Sequence, residues 1–376
     1  MKKLEDIRKE LHRYPELSGE ERQTSLRIKQ YLSAYKPDSI FEGLGGFGVL
    51  AVFEGKEAGP VVMFRVEMDA LHVYEKSNLP YVSKTAGVAH TCGHDGHMTM
   101  MLSFVQKIAD KRPQKGKVMV LFQPAEETGE GALRVLKSDI FKHSIPDYVF
   151  SIHNIPGVEL GTTILKSGSM CAASVGLQLD LQGRYSHAAE PEKGINPVYC
   201  FPSMIKEFRE ITDSGDFKDM VNLTFTHVQL GEYAFGISPG KAQMLCTLRA
   251  YQNEDMERLK VLIVEKAKEI ADRYNLFVKE SWHESFNAVV NNQEAVEIAA
   301  NAAKAINLPI VEIKEPYKWS EDFAEYLLKY KGAFIGIGSG IDTPDLHNEY
   351  YDFPDELIEV GGAMFYSLYE QVMNGT

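Results

Sequence analysis

Short runs that are apolar on both faces alternate with helical patterns over the first 165 or so residues, and then the pattern changes. VVMFRV (61–66), KVMVLF (117–122) and DYVFSI (147–152) lack the polar face that a solvated strand keeps. Each must be covered on both sides, as in a largely parallel sheet flanked by helices. Helical periodicity supplies the cover. Leu4, Ile7 and Leu11 recur on one face with Pro15 beyond, residues 21–35 read as a second helix, and MTMMLSFVQKIADKR links the first two strands.

From about residue 172 the grammar is different. SVGLQLDLQG (174–183) alternates as a half-buried strand, and NPVYCFPSMIKEFREI reads as a helix. MVNLTFTHVQLG and KAQMLCTLRAYQ read as two strands, and NEDMERLKVLIVEKAKEIADRYN opens with an Asn cap and an acidic first turn before a long helix. LFVKESW closes the block, giving the β-α-β-β-α-β order of a ferredoxin-like α+β domain. EAVEIAANAAKAI, GAFIGIG and EVGGAMFYSLYEQVM then return to the α/β style. The expected architecture is an α/β domain of residues 1–171 and 284–376, interrupted by an inserted lid at 172–283. A chain of 376 residues is long enough for two cores.

Composition narrows the partners. A formal charge of −13 argues against nucleic acid, which calls for a basic surface. No run reaches the ~18 apolar residues of a membrane span, and the charged N-terminus MKKLEDIRKELHRYPE lacks a signal-peptide core. Cys92, Cys171, Cys200 and Cys246 have no framework spacing, which points to the reducing cytoplasm.

HTCGHDGH (90–97) crowds His90, Cys92, His94 and His97 into eight positions. Other donors follow strands: Glu126 and Glu127 after KVMVLFQPAEE, His153 in YVFSIHN, and His347 in TPDLHNEYYDF. Strand ends are where open α/β sheets build their sites. Thiolate, imidazole and carboxylate together suit zinc, manganese, cobalt or nickel, whereas calcium prefers oxygen alone. Neighbouring glutamates point apart, so Glu127 can bind a metal while Glu126 stays free to take a proton from water that the metal acidifies. Against this stand plain readings. A paired EE is ordinarily a solvated surface, and a lone strand-end histidine a satisfied structural residue; His90 and His97 are left as turn and cap residues.

In order along nearly the whole chain run HRYPELSGEE, RVEMDAL, HTCGHDGH, FQPAEETGEGA, HNIPGVELGT, SHAAEPEKGINP, SEDF and LHNEYYDF. This set resembles the amidohydrolase branch of the metal-dependent aminoacylase and carboxypeptidase superfamily, which includes hippurate hydrolases, N-acetyldiaminopimelate deacetylases and auxin-conjugate hydrolases. The resemblance implies a metal-binding α/β domain with a ferredoxin-like lid, and two divalent metals bridged by Cys92 and completed by His94, Glu127, His153 and His347. It implies Glu126 as general base, Asp69 as support for a metal-ligand histidine, and His187 as oxyanion stabiliser in a homodimer formed through the lid. Trp319 to Phe323, Glu321 among them, and the glycines Gly336, Gly338 and Gly340 are expected to line a substrate pocket, with backbone amides reaching a substrate carboxylate. Arg249 is a candidate carboxylate clamp. Three positions depart from the family pattern: Glu67 replaces Asp, His72 replaces Pro, and Gly236 replaces Asn.

The expected function is hydrolysis of the amide bond of a small N-acyl amino acid or related conjugate. The same site also allows a dipeptidase or carboxypeptidase-like activity. A thiol hydrolase with Cys92 as nucleophile and His94 as base would leave Glu127, His153 and His347 without a role. A non-catalytic metal-binding module would have no use for the free Glu126.

Overall fold

Apolar side chains on both faces place the three doubly covered runs at the centre of a sheet. The computed structural model describes residues 2–374, which divide into two units. The first runs up to Met170, from Val289 to Glu315 and from Glu321 onward; the second is Cys171–Ala288 with Pro316–Ser320.

The main sheet of the first unit holds eight strands: β1 (Ser39–Leu44), β2 (Gly48–Glu54), β3 (Glu57–Glu67), β4 (Lys115–Gln123), β5 (Tyr148–Ile155), β6 (Thr163–Leu165), β7 (Ile310–Glu312) and β8 (Lys331–Gly338). Their order is β1-β2-β4-β3-β5-β8-β6-β7. The middle four, β4, β3, β5 and β8, are parallel, so their carboxyl ends emerge at one edge of the sheet. β1 and β2 add antiparallel, as does β6 beside β8.

Helices α1 (Leu4–Arg13), α2 (Arg22–Ala34), α3 (His94–Asp110), α4 (Gln293–Ala305) and α5 (Leu357–Asn374) supply the cover. Phe64 of β3 shows how the layers lock together: its ring meets Phe104 of α3 at 4.8 Å, Phe365 of α5 at 5.6 Å and Phe150 of β5 at 6.1 Å. All four rings are fully buried. Aromatic pairs at such distances add to area burial.

The second unit is an antiparallel sheet ordered Val221–Leu230, Lys241–Ala250, Ala173–Gln182, Phe277–Phe286, with helices Phe201–Thr212 and Asn253–Arg273. In chain order this is β-α-β-β-α-β, the ferredoxin-like arrangement. Alternation decides the faces: Val175, Leu177, Leu179 and Leu181 are buried against the helices, and Gly176, Gln178 and Asp180 face the other way. Asn253 is not the cap expected of it. Gln252 holds the cap position, and the Asn253 side chain accepts from the Ala288 N–H at 2.7 Å instead. Asp255 in the first turn accepts the Lys218 and Asp219 N–H groups at 3.1 and 3.0 Å.

Candidate metal centre

Most of the site residues stand at or just beyond strand ends in the first unit. β3 ends at Glu67 with Asp69 two residues on, β4 leads into Glu126 and Glu127, and His153 lies in β5 paired with Gly336 of β8. Cys92 and His94 arrive from the start of α3. Gly93 caps that helix at φ +89°, a left-handed geometry in which a Cβ would sit 2.4 Å from Asn154 Oδ1. The tight turn between Cys92 and His94 therefore needs glycine. α3 begins at His94 rather than near His97, which brings its amino end closer to Cys92 than the sequence implied.

The donors converge. Cys92 Sγ lies 3.6 Å from His153 Nε2. Glu127 Oε1 lies 3.8 Å from His94 Nε2 and 3.8 Å from His347 Nε2. Glu126 Oε2 is 4.0 Å from His94 Nε2. Three overlapping groups (Cys92, His94 and His153; Cys92, Glu127 and His347; His94, Glu126 and Glu127) each keep their ligand atoms within 4.8 Å of one another. Ligands bound at roughly 2.0–2.3 Å to one cation stand about this far apart.

The tautomers aim correctly. His94 Nδ1 donates to the Asp69 carbonyl oxygen at 2.9 Å and His153 Nδ1 to the Asn154 carbonyl at 2.9 Å. A carbonyl only accepts, so Nδ1 carries a proton, and in the neutral ring Nε2 presents a lone pair. Asp69 also takes the Ser18 hydroxyl at 2.7 Å and the Glu127 N–H at 3.0 Å. His347 sits at φ +66° with its N–H on the Thr91 carbonyl at 2.8 Å.

Two observations test whether these residues suit a cation. Buried His94 Nε2 and Glu127 Oε1 find no hydrogen-bond partner, a costly state for polar atoms shut away from water. The charges also lack balance. Burial, with Glu321 and Glu127 beside it, pushes the Glu126 carboxyl well up, and burial raises Glu127 to about 7. Burial with Glu127 and Glu126 lifts the Cys92 thiol well above its usual range. Burial alone would lower His94, but Asp69, Glu67 and Glu127 raise it to about 10. Acids that hold protons and an imidazole that gains one are groups waiting for a positive charge. A divalent ion at the lone pairs fits both facts.

A buried lattice of charge lies beneath. Arg65, in the middle of the run read as purely apolar, is fully buried and donates to Glu321 at 2.9 Å, Asp322 at 2.5 Å, Gln123 at 2.9 Å and Glu67. Glu67 accepts from His97 Nδ1 at 2.7 Å, and His97 Nε2 lies 2.5 Å from Asn154 Oδ1. His97 is therefore an internal link of this chain and not a cap. Glu321 is no substrate contact either: it is 1% exposed and also holds the Phe323 N–H at 2.9 Å. The glycine run gives a second correction. Gly338 N–H is engaged by the Thr162 carbonyl and Gly340 N–H by the Val158 carbonyl, both at 2.8 Å, so neither amide is offered to a ligand. Arg65, Gln123 and Asn154 were missed because single polar residues inside apolar strands leave no periodic signal; Asp322 lay within the Trp319–Phe323 segment expected at the pocket, and it is buried on Arg65 and Gln123. His72 makes no contact that gives its departure from proline a structural account.

In the second unit, His187 is exposed and pairs with Ile237. Its Nδ1 accepts from the Ala189 N–H at 3.0 Å, which leaves Nε2–H as a donor when the ring is neutral. Arg249 is half-buried in Lys241–Ala250, with Nη1 unpartnered. At Gly236 a Cβ would meet nothing, so no steric reason dictates glycine in the asparagine position.

The model of peptidase family M20/M25/M40 matches residues 63–371. The chain belongs to this family. An N-acetyl-L-cysteine deacetylase of Bacillus subtilis is 31% identical, over 98% of this chain and 87% of that protein. A hippurate hydrolase of Campylobacter jejuni is 31% identical, over 97% of this chain and 95% of that one. A solved structure from Bacillus subtilis, described as a dinuclear metal-binding peptidase of the M20 family, superposes with a TM-score of 0.86 at 27% identity, covering 99% and 98% of the two chains. The M20 chain is a metal-dependent amidohydrolase with the mixed α/β, lid-bearing fold of that family. Among its described residues no helix is long and apolar enough to cross a membrane. A thiol-hydrolase reading finds little support in the geometry, since the imidazole bonded to Cys92 Sγ is His153 and burial raises the thiol.

Proposed function

We propose that this M20 enzyme hydrolyses the amide bond of a small N-acyl amino acid or related conjugate, with two divalent cations held by Cys92, His94, Glu127, His153 and His347. The observation that carries the reading is a pair of buried, unpartnered ligand atoms, His94 Nε2 and Glu127 Oε1, beside a second carboxylate, Glu126. The named relatives point to the same substrate class. Bound there, the cations would acidify a water and polarise the acyl carbonyl; zinc, manganese, cobalt and nickel all suit the donor set.

The protein's own groups do the rest. Glu126 is 6% exposed and its carboxyl holds a proton readily, which suits taking one from water and passing it to the leaving nitrogen. Asp69 fixes the His94 imidazole through its main-chain oxygen and the turn before Glu127 through its side chain. His187 is the donor proposed for the oxyanion, and its Nε2–H tautomer supports that role. Arg249 is proposed to hold the substrate carboxylate, for which its unpartnered Nη1 is suited. The outer lid strands Val221–Leu230 and Phe277–Phe286 leave open edges, which supports a homodimer assembled through the lid, and the four free cysteines support a reducing, cytoplasmic setting.

Glu126→Gln keeps the shape and removes the base. Its expected behaviour is unchanged metal stoichiometry by elemental analysis with kcat reduced at least ~100-fold, assayed as free amine released from acetyl, benzoyl and indole-acyl amino acids. Wild-type turnover in a metal-replete Glu126→Gln sample would remove Glu126 as base. Release of free amine from dipeptides alone would move the substrate class to peptides.

A further inference from the structure

The motif HRYPELSGEE has no part in the chemistry above, yet it runs directly behind the glutamate pair. Glu21 closes it, at the head of α2, with its side chain fully buried. Its Oε1 accepts two main-chain N–H groups, Gly19 at 2.9 Å and Ala125 at 2.8 Å, and its Oε2 has no partner.

Ala125 is the residue before Glu126, and it stands at φ +53°. A side chain in that left-handed region is costly and persists only where the surroundings over-determine it. The surroundings here are specific. The Ala125 carbonyl accepts from Gly131 N–H at 3.0 Å and the Thr128 hydroxyl at 3.3 Å. At Gly131 a Cβ would lie 1.8 Å from the Pro124 carbonyl oxygen, so this closure tolerates only glycine. Two residues on, Asp69 takes the Glu127 N–H at 3.0 Å. The residues on either side of Glu126 thus each have their main-chain N–H held by a buried carboxylate, Ala125 by Glu21 and Glu127 by Asp69. The two clamps come from one brace, because Ser18 donates to Asp69 at 2.7 Å and the Glu16 carbonyl accepts from Ala70 N–H at 2.9 Å.

We propose that Glu21 is a positioning residue for the reaction: its buried carboxylate holds the Ala125 N–H in its left-handed turn and thereby fixes the directions from which Glu126 and Glu127 reach the donor cluster around His94. This rests on the amidohydrolase reading, in which Glu126 moves the proton and Glu127 holds a cation. What Glu21 must supply is an acceptor oxygen at full reach, not a negative charge. Burial and nearby Asp69 already push its carboxyl up to about 7, so the neutral form is close at hand.

Three variants separate reach from charge. Glu21→Gln keeps an acceptor oxygen at the same distance and places an NH2 where Oε2 finds no partner. Glu21→Asp keeps the acid one methylene short. Glu21→Ala removes both. The experiment pairs steady-state kinetics on the metal-loaded enzyme with amide hydrogen exchange of segment 122–130 in metal-free protein. In Glu21→Gln, kcat stays within about threefold of wild type and the segment stays protected. In Glu21→Asp and Glu21→Ala, kcat falls at least ~10-fold while KM moves less than about threefold, and the segment exchanges at least ~10-fold faster. The proposal is overturned by a Glu21→Asp enzyme with wild-type kcat, by unchanged exchange in that variant, or by Glu21→Gln as impaired as Glu21→Asp. Should Glu21→Ala not fold, the Gln and Asp pair decides. A wild type inactive on every acyl amino acid would strike the function proposed above and leave the exchange measurement to judge Glu21.

Discussion

Between His94 and His97 stands Asp95, fully buried, whose Oδ2 accepts from His12 Nδ1 at 2.9 Å and from Arg8 at 3.3 Å. Burial by itself would lower His12, but the Asp95 charge and the hydrogen bonds to Asp95 and Glu75 raise it to about 9. The folded protein binds the His12 proton more tightly than the unfolded chain, whose value is near 6.5. The resulting stability is fully present below pH 6.5 and is lost as pH climbs through 9. A shift of this size corresponds to at most roughly 3–4 kcal/mol. Urea unfolding of the metal-free protein between pH 6 and 9.5 should therefore show a decline that His12→Asn flattens; parallel curves for the two proteins would refute it. At this scale the sequence was only partly legible. Cys92, His94, Glu126, Glu127, His153 and His347 were named as candidate ligands and base from their side-chain chemistry at strand ends, and the structure brings them together. His12, Asp95 and Glu21 were not singled out. Their importance depends on partners up to 104 positions away, and ordinary charged residues carry no local mark of being buried.

Arg65 does for the strands what Asp95 does for the motif. On β3 it joins Gln123 of β4 and the Glu321–Asp322 segment, and its guanidinium lies 5.9 Å from the Phe323 ring centre. Arg65→Met keeps the volume and strands Glu67, Glu321 and Asp322 without a cation. Breaking a buried pair from one side costs about 3–5 kcal/mol, so the variant should unfold at much lower urea. A loss under about 1 kcal/mol would show that these carboxylates neutralise themselves by protonation. The elements themselves were legible where a pattern ran long enough. β3, β4, β5 and β8, α3 and α5, and the four lid strands all lie on segments whose periodicity announced them. β1 and β2 went unread: β1 is a largely exposed edge, and GVLAVFE follows a glycine-rich turn with no helix to frame it. β6 and β7 have three residues each, too few for any period to be visible. Glu67 shows how a departure from pattern becomes structure. Its extra methylene relative to aspartate lies in a side chain that spans Arg65 and His97, two residues fixed on different elements.

For the molecule as a whole, folding gathers Glu126, Glu127, Asp69, Glu321 and Asp322 into one region with Arg65 as the one fully buried arginine among them. Sequence spacing could not show this crowding, because it exists only once residues from 69 to 347 share a sheet edge. Crowding makes the native state of the metal-free protein hold protons on acids that the unfolded chain would ionise, so the cations of the proposed site and folding are linked. An ion that binds the native site at 100 times its dissociation constant adds about 2.7 kcal/mol. For a unit of this size that is a rise in melting temperature on the order of 5–10 °C. Chelator-treated protein should melt that much lower, and manganese or zinc should restore it, whereas magnesium, a poor match for thiolate and imidazole, should not. Raising the pH from 6 to 8 should enlarge the metal effect, since Glu127 gives up its proton near 7 and the ion no longer competes with it. Equal melting temperatures with and without manganese or zinc at both pH values would mean that the converging donors do not close on a cation, and the amidohydrolase reading of this site would fall with them.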